Sequence, residues 1–141
     1  MTTQEKYKII IAEDSPEFAQ GLKYLLSIYG QYEVLDIVSD GAKIVKHDLL
    51  NVTDLILMDV NMPLLSGIEA GKQIDFLFPR IRQIAITFNK DQVFLEELIA
   101  AGFRGFVDKQ AIYEELEGVL NTVMNNQYAF PKNMRIMSGY R

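Results

Sequence analysis

The sequence predicts a doubly wound α/β fold, in which helices cover both faces of a parallel sheet. The 141 residues contain five short apolar runs of strand length, at 7–12, 34–38, 55–58, 84–87 and 105–107. Longer segments with helical spacing of the apolar residues separate these runs. The runs are continuously apolar rather than alternating, which is typical of strands buried on both faces. We therefore expect strand and helix to alternate five times in one domain of ordinary size.

Helix 1 is predicted from its apolar face and from both of its ends. Its apolar residues recur at helical spacing and are Phe18, Leu22, Leu25, Leu26 and Tyr29. Ser15 is a favourable N-cap, and Pro16 suits the first helical position because its missing N–H costs nothing there. Gly30 lies where a C-cap is expected.

The later helices are predicted from the same kinds of signal. Helical spacing covers segments 42–50, 67–78 and 91–101. Helix 5 has a second clear apolar face, formed by Ile112, Leu116, Val119, Leu120 and Val123. Ser66 and Glu69 make a capping box for helix 3, and Pro79 follows its end. Gly102 lies at the expected end of helix 4.

The bulk composition excludes several functions. A net charge of −5 and a pI near 4.9 argue against the basic face that nucleic-acid binding requires. The sequence has no cysteine, so disulfides and cysteine-based sites are excluded. Residues 1–7 lack the apolar core of a secretory signal, and no apolar run approaches the roughly 20 residues that span a bilayer. We expect a cytoplasmic protein without direct nucleic-acid or membrane partners, with one domain over 1–125 and a C-terminal tail over 126–141.

Polar side chains end or follow four of the five predicted strands. Since the carboxyl ends of parallel strands form the ligand-binding edge of such sheets, we expect these side chains to lie in one crevice. They supply three carboxylates, a hydroxyl and an ammonium, from Glu13, Asp14, Asp59, Thr87 and Lys109.

This set of groups suits phosphoryl transfer. Three crowded carboxylates repel one another unless a cation compensates, and all-oxygen ligation suits Mg²⁺. One carboxylate can then attack phosphorus, while Lys109 and the metal neutralise the phosphoryl oxygens and Thr87 donates to one of them. Singly, each residue also fits a structural role, as a turn or cap residue, a strand threonine or a surface lysine. Their occurrence at four separate strand ends favours a site.

Over residues 7–125 the chain resembles the receiver domain of response regulators. The residues that carry the resemblance occur in the family's order and are Glu13, Asp14, Asp59 in the stretch Leu57–Pro63, Gly67, Thr87, Phe106 and Lys109. The resemblance implies a flavodoxin-like sheet with strand order 2-1-3-4-5 and five helices. It implies that Asp59 accepts a phosphoryl group and that Thr87 and Phe106 form the switch, on the face formed by strand 4, helix 4, strand 5 and helix 5.

The resemblance also implies a cofactor and partners. Mg²⁺ is expected to bind Asp14 and Asp59 directly, Glu13 through water and Asn61 through its backbone carbonyl. The phosphoryl donor is expected to be a sensor histidine kinase, and the domain catalyses only its own phosphorylation and dephosphorylation. A C-terminal DNA-binding output domain beyond this chain and a homodimer are compatible with the resemblance, and 126–141 is then the start of an interdomain linker.

The segments 101–111 and 128–131 are similar to those of the NarL/LuxR group, yet two residues depart from common receiver patterns. Gln110 stands where many receivers have proline, so we expect a different turn after strand 5. Phe88 stands where the family usually has a small residue. We expect Phe88 to gate the phosphorylation pocket, unless its ring packs against helix 4.

Other functions fit the residues less well. A haloacid-dehalogenase-type phosphatase needs a second aspartate as general acid, where this chain has Asn61. A flavodoxin-like electron carrier needs a phosphate-binding loop rich in glycine and hydroxyl groups after strand 1, where this chain has Glu13 and Asp14. The remaining alternative is a phosphorylation-independent interaction module of the same fold. His47, the only histidine, is predicted to be a surface residue.

Overall fold

A five-stranded parallel sheet forms the centre of the protein in the computed structural model, which describes residues 5–131. The strands are β1 (Tyr7–Ala12), β2 (Tyr32–Val38), β3 (Leu55–Asp59), β4 (Arg82–Thr87) and β5 (Gly105–Asp108). They are ordered β2-β1-β3-β4-β5, which confirms the predicted flavodoxin-like topology. Within the same residues, no helix combines the length and apolar character that crossing a bilayer requires.

Residues 5–131 contain five α-helices, of which four connect successive strands and the fifth follows β5. They are α1 (Pro16–Tyr29), α2 (Gly41–Val45), α3 (Gly67–Leu77), α4 (Gln92–Ala100) and α5 (Ile112–Met124). The predicted caps of α1 are confirmed, because the Ser15 side chain accepts the N–H of Phe18 and Gly30 adopts a left-handed φ of 82°. In the capping box of α3, Ser66 accepts the N–H of Glu69.

The sheet separates two apolar layers, one on each face. Along β3, Leu55 and Leu57 pack with α1 and α5, whereas Ile56 and Met58 pack with α2, α3 and α4. All four side chains are fully buried. The prediction from the continuous apolar runs, that the strands are covered on both faces, is therefore confirmed.

The predicted second helix is too long. Instead of spanning 42–50, α2 ends at Val45, and a 3-10 turn follows at Leu50–Val52. His47 lies between them, with its Nε2 2.7 Å from Asp36 Oδ2 on β2 and its Nδ1 accepting the N–H of Leu49. Its side chain is only 11 % exposed, so the prediction of a surface histidine is wrong. These contacts stabilise a turn where the apolar spacing indicates a continued helix.

The segment after α5 lies along the open edge of β5. Ala129 forms a parallel bridge with Gly105 and donates its N–H to Arg104 O over 2.8 Å. The ring of Phe130 stacks on Phe106, with 5.8 Å between the ring centroids. The predicted boundary between 1–125 and 126–141 stays a prediction, and residues 132–141 of that tail lie outside the described residues.

Candidate functional site

The carboxyl edge of the sheet brings together the charged and polar side chains predicted from the sequence. Strand pairing aligns the strand ends, since Asp59 pairs with Ile86 and Thr87 with Asp108. The predicted site residues that end or follow the strands at this edge are Glu13, Asp14, Asp59, Thr87 and Lys109.

Three carboxylates form a compact acidic cluster. One carboxylate oxygen from each of Glu13, Asp14 and Asp59 lies within 4.8 Å of the other two. Glu13 and Asp59 are buried, at 2 % and 3 % exposed, whereas Asp14 is exposed. The cluster is therefore embedded in the protein on one side and open to solvent on the other.

Lys109 provides the positive charge next to this cluster. Its Nζ lies 3.2 Å from Glu13 Oε1 and 3.5 Å from Asp59 Oδ2. The ammonium therefore contacts two of the three carboxylates, and its shortest contact is with Glu13. Because only 14 % of the lysine side chain is exposed, water screens these contacts weakly.

Backbone groups orient the two buried carboxylates. Ser15 donates its N–H to Glu13 Oε2, and Asn61 donates its N–H to Asp59 Oδ1, each over 3.0 Å. Gly67 is required by the close approach of α3, since a Cβ there would lie 2.5 Å from the carbonyl oxygen of Asp59. Asn61 is thus beside the cluster, and the predicted use of its carbonyl as a metal ligand stays a prediction.

Burial disfavours the ionised form of both carboxyl groups in the metal-free protein. It raises the pKa of Glu13 from 4.5 to about 6, although the Ser15 N–H and Lys109 favour the anion. Burial also raises the pKa of Asp59, against the N–H of Asn61 and the charge of Lys109, with Asp14 adding repulsion. Glu13 Oε1 accepts no well-oriented hydrogen bond. An all-oxygen donor set whose anions lack enough positive charge fits a small divalent cation such as Mg²⁺.

Thr87 and Phe88 lie at the end of β4 and differ in exposure. The hydroxyl of Thr87 is buried and accepts the N–H of Asn89 over 2.9 Å. Phe88 is 58 % exposed, and its ring centroid lies 5.5 Å from Lys109 Nζ. Phe88 therefore lies at the rim of the site, and its role as a gate stays a prediction.

Most of the chain matches one known protein family. The response regulator receiver domain family matches residues 9–121. The chain belongs to this family. As a receiver domain of a two-component response regulator, it contains each of the residues on which the predicted resemblance rested.

Relatives and solved structures agree with this assignment. The receiver domain is 27 % identical over 130 residues to the transcriptional regulatory protein DegU of Brevibacillus brevis, covering 92 % of this chain and 55 % of that protein. It is 29 % identical over 127 residues to the oxygen regulatory protein NreC of Staphylococcus carnosus, covering 89 % and 58 %. The chain thus spans little more than half the length of these relatives.

Solved structures show the same fold at lower identity. A LuxR-family response regulator from Aurantimonas superposes with a TM-score of 0.83 at 22 % identity, covering 92 % of this chain and 93 % of that chain. The non-phosphorylated receiver domain of RcsB from Escherichia coli superposes with a TM-score of 0.81 at 23 % identity, covering 91 % and 100 %. The predicted receiver-domain family is confirmed, and the proteins that the chain is similar to are regulators of the NarL/DegU and LuxR type.

Three further features of this receiver domain were not predicted as contacts. The ring centroid of Phe18 lies 4.6 Å from Lys109 Nζ, although the sequence indicates only that Phe18 belongs to the apolar face of α1. Lys90 pairs with Asp108 at 2.9 Å, and no spacing rule connects these two residues. Asp108 also accepts the N–H of Gln110 over 3.0 Å, a bond that a proline at position 110 has no N–H to make.

Proposed function

We propose that this receiver domain accepts a phosphoryl group on Asp59 from a sensor histidine kinase, in a reaction that depends on Mg²⁺. The observation that carries the proposal is the position of Asp59, whose Oδ2 lies 3.5 Å from Lys109 Nζ within the acidic cluster. A nucleophile, a cation site and a fixed positive charge thus meet at one place, as phosphoryl transfer requires.

In the proposed reaction, Asp59 Oδ2 attacks phosphorus because Oδ1 already accepts the N–H of Asn61. An oxygen–phosphorus bond forms, the phosphorus–nitrogen bond to the kinase histidine breaks, and the released imidazole takes up a proton. Glu13, Asp14, Asp59 and the carbonyl of Asn61 would hold Mg²⁺, which when bound supplies positive charge to the phosphoryl oxygens. Lys109 leaves Glu13 to donate to another of these oxygens.

The proposed switch consists of Thr87 and Phe106. Thr87 turns its hydroxyl from the N–H of Asn89 to the phosphoryl group, and Phe106 rotates into the space that this movement vacates. Phe106 has no hydroxyl to leave unpaired, so its inward position is populated even without phosphate. Rotation breaks the stacking of Phe106 on Phe130. Because Phe130 belongs to the segment after α5, a change in the face formed by β4, α4, β5 and α5 also reaches that segment.

The same proposal assigns a cellular context. Relatives named as regulatory proteins of transcription support a cytoplasmic regulator whose C-terminal output domain binds DNA, and a homodimer is compatible with it. Residues 126–141 then begin the interdomain linker. The domain itself performs only its own phosphoryl transfer and dephosphorylation.

One alternative has a structural observation in its favour. Lys109 lies closer to Glu13 than to Asp59, and Phe88 flanks its ammonium. If Lys109 never leaves Glu13 for a phosphoryl oxygen, the protein is a phosphorylation-independent interaction module.

The two proposals differ in one measurable property. The protein is incubated with acetyl phosphate and Mg²⁺, and its intact mass is recorded. We expect a gain of one phosphoryl group that is lost in EDTA and in Asp59→Asn. Asp48→Asn, which changes an exposed aspartate in the α2–β3 connection, is the matched control and retains the gain. No gain in the folded wild-type protein supports the interaction module instead.

A further inference from the structure

Two aromatic rings flank the ammonium of Lys109, and they differ in how firmly they are held. The ring centroids of Phe18 and Phe88 lie 4.6 Å and 5.5 Å from Lys109 Nζ. Both distances are within the range of a cation–π interaction. Phe88 is 58 % exposed, whereas Phe18 is partly buried against the apolar layer beneath α1 and α5.

Local structure fixes the position of Phe18. Ser15 caps α1 by accepting the N–H of Phe18 over 3.3 Å, and Pro16 occupies the first helical position. Ser15 also donates its own N–H to Glu13 Oε2. The backbone that carries the Phe18 ring is therefore tied to the same turn that orients one of the buried carboxylates.

The contacts of Lys109 differ in what phosphorylation does to them. Glu13 Oε2 accepts a hydrogen bond from Nζ over 3.3 Å, and Asp59 Oδ2 forms an ion pair with it at 3.5 Å, so both carboxylates compete directly with a phosphoryl oxygen for the ammonium. The ring of Phe18 attracts the charge without accepting a conventional hydrogen bond, so it competes much less. Because lysine has a flexible four-carbon stem, a contact that persists through the reaction limits how far its ammonium can move.

We propose that Phe18 is a positioning residue, which holds the Lys109 ammonium beside Asp59 by a cation–π contact throughout phosphoryl transfer. This inference rests on the proposed phosphorylation of Asp59. It assigns separate roles to the two rings: Phe18 holds the lysine side chain in place, whereas Phe88 lies exposed at the edge of the site.

Three replacements separate ring electrostatics from packing. Phe18→Leu removes the ring, Phe18→Tyr retains it, and pentafluorophenylalanine at position 18 retains the shape but reverses the ring's charge distribution. We expect labelling by acetyl phosphate at saturating Mg²⁺ to be about fivefold to tenfold slower with leucine and with the fluorinated ring. Tyrosine should remain within about twofold of wild type. Phe76→Leu, at an exposed position near the end of α3, is the matched control.

A second measurement needs neither metal nor phosphate. The acylation rate of Lys109 by an amine-reactive reagent is followed by peptide mass spectrometry in metal-free protein, with the exposed Lys23 of α1 as internal reference. We expect the rate at Lys109, relative to Lys23, to rise several-fold with leucine and with the fluorinated ring, and to be unchanged with tyrosine.

The outcomes distinguish this inference from the proposed function. If wild type is not labelled at Asp59, the proposed function fails, and with it the role of Phe18 in the reaction. If wild type is labelled but the fluorinated protein matches it in labelling rate and Lys109 reactivity, Phe18 acts only through packing and the inference is overturned. Thermal unfolding of each variant verifies that the comparison is made between folded proteins.

Discussion

The burial of Glu13 predicts that replacing this residue stabilises the metal-free protein at neutral pH. Burial raises the pKa of Glu13 from 4.5 to about 6, a value that already includes the attraction of Lys109. Ionising this carboxyl therefore costs more in the folded than in the unfolded chain. Glu13→Gln keeps the shape of the side chain and removes that cost.

The sign and the size of this stability difference follow from the linkage between proton binding and folding. Because the folded-state pKa is raised, the contribution of Glu13 to stability is fully present below pH 4.5 and is lost as the pH rises through about 6. At about 1.4 kcal/mol for each pH unit, the loss is on the order of 2 kcal/mol at pH 7.5. Glu13→Gln should match wild type near pH 4 and exceed it by on the order of 2 kcal/mol at pH 7.5.

Urea denaturation in EDTA, followed by circular dichroism from pH 4 to pH 8, measures this difference. With a slope of about 2 kcal/mol per molar urea, the midpoint of Glu13→Gln should lie roughly 1 M higher at pH 7.5. Saturating Mg²⁺ should reduce or reverse the stability difference, because it stabilises the wild-type protein, whose acidic cluster is complete, more than it stabilises Glu13→Gln. A variant that is equally or less stable at pH 7.5 in EDTA, or a stability difference that does not change with pH, would show that ionised Glu13 does not destabilise the folded protein.

Two further predictions concern β4 and its end. Thr87→Ala should still accept phosphate but lose most of the phosphate-induced changes in amide NMR spectra around Phe106 and Phe130; unchanged shifts would reject Thr87 as the coupling residue. Phe88→Ala should raise the initial rate of labelling by acetyl phosphate and the rate of phosphate loss after donor removal, each by at least about threefold, since bulk at the rim restricts in-line approach. Val93→Ala, at an exposed position of α4, is the matched control, and two unchanged rates in folded Phe88→Ala would leave Phe88 without a gating role.

Most of the fold could be predicted because its signals are local. Continuous apolar runs indicate strands covered on both faces, and β3 is buried on both. Ser15, Pro16 and Gly30 define the ends of α1 through their own backbone chemistry. The length of α2 could not be predicted in this way, because the turn at His47 depends on Asp36, a residue on another element.

The candidate site could be predicted to the level of its charged residues. The carboxyl ends of parallel strands lie at one edge, so the proximity of Glu13, Asp59 and Lys109 follows once the strands are identified. The aromatic contacts could not be predicted, because apolar spacing shows only that a residue belongs to a helix face or strand. That the ring of Phe18 reaches Lys109, and that Phe130 reaches Phe106, depends on how separate elements pack.

Borohydride trapping identifies the residue that carries the phosphoryl group, which we propose is Asp59. Borohydride reduces an aspartyl phosphate to homoserine and leaves a free carboxylate unchanged, so peptide sequencing after reduction identifies the modified residue. After treatment with acetyl phosphate and Mg²⁺, we predict homoserine at position 59, and none there when EDTA replaces Mg²⁺. Homoserine at position 14 instead, or at no aspartate position in a sample whose intact mass shows phosphorylation, would show that Asp59 is not the phosphoacceptor.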